Sequence, residues 1–266
     1  MDQKIGLIGV GNMGGAIVEG LFHNHLAKPS NVWVYDKFTE KSREFAQNWT
    51  VHAAASNQDL MKHVDIVLLA IKPQDLDALA EEVKGTIHSG QAVISILAGV
   101  PVAKLAQAFP WAEVVRAMPN LGAKVGESMT AITSASDRAF SFAEQIFSGC
   151  GKIIRLSESY FDLVTAISGS GPAYFFLLME LLAKEGMAHG LTEHEASLLA
   201  VQTAVGSALL AASEDASPEE LRKRVTSKGG TTEAALKIFE EKNIAGTVQE
   251  AVKAALERGK QLGQGK

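Results

Sequence analysis

The chain has 266 residues, of which 47% are hydrophobic, so it can bury a substantial core, and its length favours two domains. A formal net charge of −5 and a sequence pI of about 5.8, without a long basic block, argue against a nucleic-acid partner. The single cysteine, Cys150, excludes a disulfide scaffold and fits a reducing, cytoplasmic compartment.

No membrane segment or signal peptide is expected from the apolar patterns. The apolar run Ala173–Leu182 contains Glu180 and is closed by Lys184, so we predict that it is too short to span a bilayer. The first strand pattern begins at Lys4 without a basic segment ahead of it. These patterns predict a soluble cytoplasmic protein without a membrane partner.

Strand and helix patterns alternate over the first 160 residues. Predicted strands cover Lys4–Gly9, Val32–Asp36, Asp65–Ile71, Ala92–Leu97, Val114–Met118, Met129–Thr133 and Lys152–Leu156. Predicted helices cover Asn12–Leu26, Thr39–Asn48, Pro73–Val83 and Arg138–Ser148. Alternation of this kind predicts an α/β domain with a mostly parallel, doubly wound sheet of the Rossmann type.

The strand patterns end near Tyr160, and long alanine- and leucine-rich segments follow. Predicted helices there cover Phe161–Ile167, Ala173–His189, Glu193–Ala212, Pro218–Val225, Thr232–Glu241 and Gly246–Leu262. One of these helices has a clear start signal, because Ser217 and Glu220 have capping-box spacing around Pro218. We therefore predict an α/β domain at residues 1–160 and an all-helical domain at residues 161–266.

The helical half has more apolar surface than a small domain can bury. Residues Leu199–Ala212 are nearly all small or aliphatic, and a helix that is apolar all round must be buried. A second copy of the chain would cover the excess, so a homo-oligomer is predicted. Coverage of this face by the α/β domain alone is the alternative.

A glycine-rich turn marks a nucleotide site. Gly9, Gly11 and Gly14 form a G-x-G-x-x-G pattern that follows the first strand and opens the first helix, which is the context that makes the pattern specific. Gly9 allows the tight turn, Gly11 lets the backbone approach a pyrophosphate, and Gly14 lets the helix pack on the strand. The N–H groups at the helix start favour a diphosphate.

The end of the second strand predicts how the adenosine ribose is recognised. Asp36 lies 22 residues after Gly14, where an acid accepts hydrogen bonds from ribose hydroxyls and repels a 2′-phosphate, which favours NADH. Lys37 follows directly and would offset part of that repulsion, or it is an ordinary solvated lysine. Both alternatives remain open.

Other strand ends complete the predicted cofactor site, because ligands of doubly wound sheets bind at the carboxyl ends of the strands. Small or turn-forming residues there would let the cofactor approach the backbone. The remaining predicted cofactor-binding residues are Asn12, Met13, Asn57, Ala70, Lys72, Pro73, Ala98, Gly99, Met118 and Asn120.

Two other kinds of site are not expected. The 7 histidines are scattered without ligand spacing or a cysteine cluster, so no metal is predicted. The segment SGSGP at residues 168–172 resembles a serine nucleophile turn, but it lacks a glycine two residues before Ser170 and follows a helical pattern. A helix break at Gly169–Gly171, with Pro172 starting the next helix, is the simpler interpretation.

Five segments together resemble the pyrroline-5-carboxylate reductase family. They are GLIGVGNMGGAI, AIKPQ, AGV, SGSGPAY and VTSKGGTTEAAL, spread in order from residue 6 to residue 236, and the last of them is the most diagnostic. The resemblance implies an NAD(P)H-dependent oxidoreductase that reduces the C=N bond of 1-pyrroline-5-carboxylate to give L-proline. It also implies a helical C-terminal dimerisation domain, in a homodimer that often assembles into a decamer of five dimers.

The resemblance places the substrate at the segment Ser227–Thr232. A glycine-rich turn opening a helix presents N–H groups and a positive dipole end to a carboxylate. The implied substrate-binding residues are Ser227, Gly229, Gly230, Thr231 and Thr232. Thr232 is the implied catalytic residue, which orients the ring nitrogen and does not act as a strong acid. A plain helix cap is the alternative, but no glutamate follows Thr231 by three, because that position is Ala234.

Two other functions remain open at this point. A 3-hydroxyacid dehydrogenase of similar build would need a lysine on the helix after the glycine-rich break, and here no lysine follows Pro172 until Lys184. A dinucleotide-sensing dimer without catalysis would need no substrate loop. Asp36 also departs from the small or basic residue of the NADP-preferring members of the family, so the sequence leaves the choice of NADH or NADPH open.

Overall fold

The computed structural model describes residues 1–263, and its eight strands form one sheet. The strands are β1 (Ile5–Ile8), β2 (Val32–Tyr35), β3 (His52–Ala53), β4 (Ile66–Leu69), β5 (Ala92–Ser95), β6 (Glu113–Met118), β7 (Ser128–Ser134) and β8 (Gly151–Arg155). Their order is β3-β2-β1-β4-β5-β6-β7-β8, and strands β1 to β6 are parallel. Strand β7 runs antiparallel to β6 and parallel to β8. The predicted α/β fold with a mostly parallel sheet is confirmed.

Twelve α-helices connect or follow these strands in the described part of the chain. They are α1 (Asn12–His23), α2 (Thr39–Trp49), α3 (Asn57–Met61), α4 (Leu76–Glu82), α5 (Val102–Ala108), α6 (Asp137–Ser148), α7 (Phe161–Val164), α8 (Gly171–Ala188), α9 (Glu193–Ser213), α10 (Pro218–Arg224), α11 (Thr231–Glu241) and α12 (Ile244–Gly263). Elements β3, α3 and α5 were not predicted from the sequence; β3 and α3 have only 2 and 5 residues, which are too few for a periodic pattern.

The sheet is covered on both faces, as the alternation of side chains in strand β4 shows. Ile66 and Leu68 belong to one apolar cluster together with residues of α1 and α6, while Val67 and Leu69 belong to a second cluster with residues of α3, α4 and α5. Successive side chains of a strand point to opposite faces, so a strand that is apolar throughout needs helices on both sides.

The chain divides into two compact units. The first comprises Met1–Ser170 together with the described chain from Ala255 onward, and the second comprises Gly171–Ala254. Within the second unit, helix α8 packs against α9. The last three residues of the predicted helical domain, 264–266, lie outside the described residues.

Helices α8 and α9 expose most of their apolar side chains. In α8 only Gly171 is buried, and in α9 only Ala196 and Ala200 are buried. Phe175 is 65% exposed and Leu209 is 61% exposed. We call the exposed apolar side chains of these two helices the α8–α9 apolar surface. The single chain therefore does not bury the residues whose apolar pattern predicted an oligomer.

The prediction that the apolar run Ala173–Leu182 is too short to cross a membrane was wrong about its length. The structure contains a helical run at Glu158–Ala188 of 31 residues and helix α9 of 21 residues. By length and apolar composition alone, both helices could cross a membrane. Residues before and after the predicted run extend it, because the helix continues without the expected break.

The expected helix break at Gly169–Gly171 is a wide helical turn. Residues Thr165–Gly169 form a π-helix between α7 and α8, and the Ser170 backbone N–H donates to the Thr165 carbonyl oxygen over 2.8 Å. This i to i−5 bond keeps the helical path continuous, which corrects the prediction. Pro172, the second residue of α8, follows this turn closely and has no backbone N–H to donate to the helix.

Cys150 is a packing residue beneath the sheet. It is fully buried, and burial raises the pKa of its thiol to about 12. Its thiol lies 3.7 Å from the Ile17 carbonyl oxygen, and a Cβ on Gly20 would approach its Sγ to 3.0 Å. A thiol of this pKa carries almost no thiolate at neutral pH.

We expect Cys150 to resist alkylation by iodoacetamide in the folded protein and to react fully in denaturant, because only the thiolate is nucleophilic. Mass spectrometry after timed alkylation at mildly alkaline pH measures both reactions. The unfolded chain is the control for reagent activity, and alkylation of the native protein at the denatured rate would contradict burial.

Candidate functional site

A cleft of about 710 Å³ lies in the first unit, at the carboxyl ends of the parallel strands. It brings together all but two of the predicted cofactor-binding residues. Those that line it are Gly9, Gly11, Asn12, Met13, Asp36, Lys37, Asn57, Ala70, Lys72, Pro73, Ala98, Met118 and Asn120. Carboxyl strand ends are where doubly wound sheets bind their ligands.

The glycine-rich turn has the geometry that its three glycines require. Gly9 has a φ of +97°, and a Cβ there would lie 2.6 Å from the Ala70 carbonyl oxygen. A Cβ on Gly14 would lie 2.5 Å from the Gly9 carbonyl oxygen, so Gly14 serves the packing of α1 on the turn and does not line the cleft. A Cβ on Gly11 would meet nothing within 4 Å. The open space is therefore at Gly11, where a pyrophosphate would approach.

The start of α1 is available to an anion. Its cap is Gly11, and in the described chain no side chain caps this helix and no acidic residue occupies its first turn. Unpaired N–H groups at a helix start favour negative charge. The features of the turn and of the helix therefore point to the same ligand group.

Asp36 has a structural role that the sequence did not show. Its Oδ2 accepts a hydrogen bond from the Val10 N–H at 2.8 Å, and its Oδ1 accepts one from the Phe38 N–H at 2.9 Å. The side chain, 9% exposed, therefore ties the glycine-rich turn to the end of β2. Each carboxylate oxygen keeps the capacity to accept one further hydrogen bond, such as one from a ribose hydroxyl.

Lys37 is paired within the protein. Its Nζ lies 2.9 Å from the Asp75 Oδ2, and both residues line the cleft. This pair is exposed and so contributes little to stability, but it draws the lysine charge toward Asp75. This contact does not fit the alternative that Lys37 is an ordinary solvated loop lysine.

Gly99 does not line the cleft, although Ala98 does. Gly99 has a φ of +76°, and its carbonyl oxygen lies 3.0 Å from the position of a Cβ on Gly263, at the end of α12. The left-handed conformation turns the chain away after Ala98. In this structure Gly99 supports the turn beside the cleft and is not part of its wall.

The cleft also contains residues that were not predicted from the sequence to bind the cofactor. They include Tyr35, Phe38, Lys41, Asp75, Glu82 and Gly169. Phe38 is 56% exposed, with the Lys41 Nζ 5.1 Å from its ring centre. Phe38 lies two residues after Asp36, and Lys41 lies three residues further on, so their closeness to Asp36 was a readable signal. No pattern in the sequence marks Glu82 at the end of α4.

The π-helix forms part of the cleft wall through Gly169. Asn120 is held there, because its Nδ2 donates to the Ser168 Oγ at 3.1 Å and its Oδ1 accepts from the Gly122 N–H at 3.0 Å. Met118 contacts the same turn, since its Cε lies 2.8 Å from the position of a Cβ on Gly169. Because Gly169 has no side chain, Met118 can pack directly against the π-helix in this wall of the cleft.

The predicted substrate loop lies in the second unit, before α11. Gly229 has a φ of +72° and Gly230 is the helix cap, with the Gly230 N–H donating to the Ser227 carbonyl oxygen at 3.0 Å. Gly229 and Gly230 line a shallow hollow of about 550 Å³, whereas Ser227, Thr231 and Thr232 do not.

The helix after this loop begins at Thr231, one residue earlier than predicted. The residue at the helix cap is therefore Gly230 and not Thr231. With Gly230 as the cap, the third helical residue is Glu233, whose Oε2 accepts a hydrogen bond from the Gly229 N–H at 2.7 Å. The statement that no glutamate occupies the capping position was therefore wrong, because it counted from Thr231. Gly230 has no side chain to cap the first turn, and no side-chain cap is present there in the described chain.

No group of three or more metal-ligating side chains occurs among the residues that the structure describes. The cleft instead offers an uncapped helix start, a glycine turn with open space, and a buried acceptor without a partner, the Asn57 Oδ1. These features fit a dinucleotide. Fold and cleft together define a Rossmann-type dinucleotide-binding protein.

Comparison with known proteins narrows this class. Residues 4–99 match the family model described as NADP oxidoreductase, coenzyme F420-dependent, and residues 158–262 match the model described as pyrroline-5-carboxylate reductase dimerisation. The chain is 35% identical to the pyrroline-5-carboxylate reductase of Methanosarcina acetivorans, over 99% of both chains.

Two solved structures agree. A pyrroline-5-carboxylate reductase from Coxiella burnetii matches at a TM-score of 0.92 and 34% identity, over 98% of this chain and 99% of that one. The NADP-bound pyrroline carboxylate reductase of Plasmodium falciparum matches at a TM-score of 0.88 and 31% identity, over 98% of each chain. The chain belongs to the pyrroline-5-carboxylate reductase family.

The position of the domain boundary stays a prediction. The dimerisation model begins at residue 158, near the predicted division at 160, whereas the second compact unit begins at Gly171. The match to a dimerisation model supports homo-oligomerisation through the helical region, where the α8–α9 apolar surface lies.

Proposed function

We propose that this protein is a pyrroline-5-carboxylate reductase, which uses NAD(P)H to reduce the C=N bond of 1-pyrroline-5-carboxylate to L-proline in proline biosynthesis. The observation that carries the proposal is the 35% identity to such a reductase over 99% of both chains. The cleft at the strand ends supports the cofactor part of the proposal. The single buried cysteine supports action in the cytoplasm.

The cofactor is held by the predicted residues of the cleft. Gly11, Asn12 and Met13 present the start of α1 to the pyrophosphate, and Asp36 lies where the adenosine ribose is recognised. Ala70 and Ala98 leave room at the strand ends, and the remaining predicted residues form the surrounding wall. Bound in this cleft, a reduced nicotinamide would supply a hydride to the carbon of the substrate C=N bond, while the ring nitrogen takes a proton from solvent.

The substrate carboxylate binds at the start of α11. Gly229 N–H is already bonded to Glu233, and Gly230 N–H to the Ser227 carbonyl oxygen. The first-turn amides of Thr231, Thr232 and Glu233 are therefore the groups left for the carboxylate. The hydroxyl groups of Ser227, Thr231 and Thr232 are further donors. The Thr232 hydroxyl hydrogen-bonds the ring nitrogen and fixes the imine for hydride addition, which is catalysis by orientation.

A second copy of the chain covers the α8–α9 apolar surface in a homodimer, and five dimers can assemble into a decamer. Support comes from the dimerisation match at 158–262 and from the exposure of residues such as Leu209. A bilayer would also cover apolar helices of this length, but the helical region of a family with a dimerisation domain favours protein contact.

The test is to follow NADH and NADPH oxidation with 1-pyrroline-5-carboxylate and to identify proline as the product. The reverse reaction with 3-hydroxyacids is measured in parallel. Proline formation supports the reductase. Turnover of hydroxyacids alone would indicate a dehydrogenase of similar build, and dinucleotide binding without turnover would indicate a sensor.

Replacing Asp36 with serine is expected to shift cofactor preference toward NADPH by about tenfold, because the carboxylate that repels a 2′-phosphate is removed. The variant should also be less stable, since serine cannot accept from both the Val10 and Phe38 N–H groups. The measurement is kcat/KM for both cofactors. Asp137→Ser, which removes an exposed acid of α6 outside the cleft, is the control, and an unaltered ratio in Asp36→Ser would show that Asp36 does not recognise the ribose.

A further inference from the structure

One buried polar atom in the described chain has no hydrogen-bond partner, and it lies in the cleft wall. Asn57, the first residue of α3, is 8% exposed and lines the cleft. Its Nδ2 donates to the Glu82 Oε2 at 2.8 Å, while its Oδ1 is without a partner. A buried acceptor left unpaired is costly, so the Oδ1 is expected to meet a donor when the cleft is filled.

Glu82 determines which end of the Asn57 amide is free to face the cleft. An ionised carboxylate only accepts hydrogen bonds, so it must face the NH₂ group and leave the oxygen for the cleft. Glu82 is itself held against α3, because the Gln58 Nε2 donates to its carbonyl oxygen at 2.6 Å. Leu60 and Leu79 belong to one apolar cluster, which anchors α3 and α4 to each other. The amide orientation is therefore built into the packing of these two helices.

The location of Asn57 in the fold indicates which part of the dinucleotide its Oδ1 would face. Helix α3 follows β3, which pairs with β2, and Asp36 directly follows the end of β2. In Rossmann folds the end of the second strand recognises the adenosine ribose. Asn57 and Asp36 thus present acceptors to the same region of the cleft. A ribose 2′-hydroxyl can donate to such groups, whereas an ionised 2′-phosphate has only acceptor oxygens.

We propose that Glu82 is a positioning residue for cofactor discrimination: it holds Asn57 with its amide oxygen toward the ribose and so disfavours a 2′-phosphate. The inference rests on the proposed function only in taking the ligand to be a nicotinamide dinucleotide. Loss of one neutral hydrogen bond corresponds to about three- to tenfold in affinity, which sets the size of the effect.

The test uses binding, measured by the fluorescence of NADH and NADPH titrated against the full-length protein without substrate. In Glu82→Ala the amide is free to turn and can donate to a phosphate. The ratio of the NADPH Kd to the NADH Kd should therefore fall about three- to tenfold. In Glu82→Gln the side chain can accept from the Asn57 NH₂ or donate to the Asn57 Oδ1, so the ratio should shift by less than in Glu82→Ala.

Glu81→Gln is the matched control, because Glu81 is the neighbouring exposed acid, pairs with Lys84 and does not line the cleft. Its ratio should equal that of the wild type. Repeating the titrations at high salt separates orientation from charge, since salt screens exposed charges but does not turn an amide. The shift in Glu82→Ala should persist at high salt. Thermal unfolding checks that each variant is folded.

An unchanged ratio in folded Glu82→Ala, or an equal shift in Glu82→Ala and Glu82→Gln, would overturn the proposal. Absence of any dinucleotide binding by the wild type would also overturn it. Turnover with 1-pyrroline-5-carboxylate is measured in the same samples. Failure of the wild type to turn over this substrate would count against the proposed reaction, while the binding ratios would still decide the role of Glu82.

Discussion

Thr232→Ala is expected to lower kcat with 1-pyrroline-5-carboxylate by about 10- to 100-fold, which corresponds to the loss of one orienting hydrogen bond to the reacting ring. Affinity for the dinucleotide should stay nearly unchanged, because Thr232 does not line the cleft at the strand ends. Steady-state kinetics give kcat and KM for the substrate, and fluorescence titration gives the dinucleotide Kd. The two measurements separate a substrate role from a cofactor role.

Two matched variants accompany this experiment. Thr232→Ser keeps the hydroxyl and should restore most of the turnover. Thr247→Ala removes a hydroxyl that is bonded to the Asn243 carbonyl oxygen in the first turn of α12, and it should leave turnover unchanged. A collapse of dinucleotide binding in Thr232→Ala would show that the assignment of this loop to the substrate is wrong.

The second large effect is expected from charges placed on the α8–α9 apolar surface. Leu199 and Leu209 of α9 are 59% and 61% exposed, and the double variant Leu199→Lys/Leu209→Lys should fail to dimerise. Burying one leucine stabilises by about 1.5–3 kcal/mol, and a symmetric interface uses each side chain twice. The loss should therefore weaken association by at least about four orders of magnitude.

Analytical ultracentrifugation across a range of concentrations measures this association. Glu193→Lys/Glu214→Lys introduces the same two lysines beside the ends of α9 and serves as the control, which should still dimerise. A double leucine variant that kept the wild-type mass would contradict a dimer through this surface. Recovery of the wild-type chain only from membranes would instead indicate that lipid covers the α8–α9 apolar surface.

Some elements were readable from the sequence because each depends on local patterns. The capping box of Ser217 and Glu220 is present as predicted, with the Glu220 Oε2 accepting from the Ser217 N–H at 2.7 Å. The long helices and most strands were located within a few residues. The short elements β3 and α3 were not, because 2 and 5 residues do not complete a periodic pattern.

Other features depend on residues far apart in the chain. Strand β7 reverses direction relative to β6, although its sequence resembles that of the other buried strands. The expected break at Gly169 is a π-helix, because the Ser170 N–H bonds back to Thr165 and the turn packs on Met118. Gly99 leaves the cleft because its left-handed conformation directs the chain toward α12.

The sequence by itself determined the class of fold, the glycine turn for a dinucleotide, the surplus of apolar helix surface and, through resemblance, the family. Each of these is carried by residue type and spacing along the chain. Only the tertiary structure decided that Asp36 accepts a hydrogen bond from the Val10 N–H and that Glu82 turns the Asn57 amide toward the cleft. The physical reason is that a hydrogen bond joins particular atoms across 25 or 26 residues of chain, and no spacing in the sequence encodes which atom faces which.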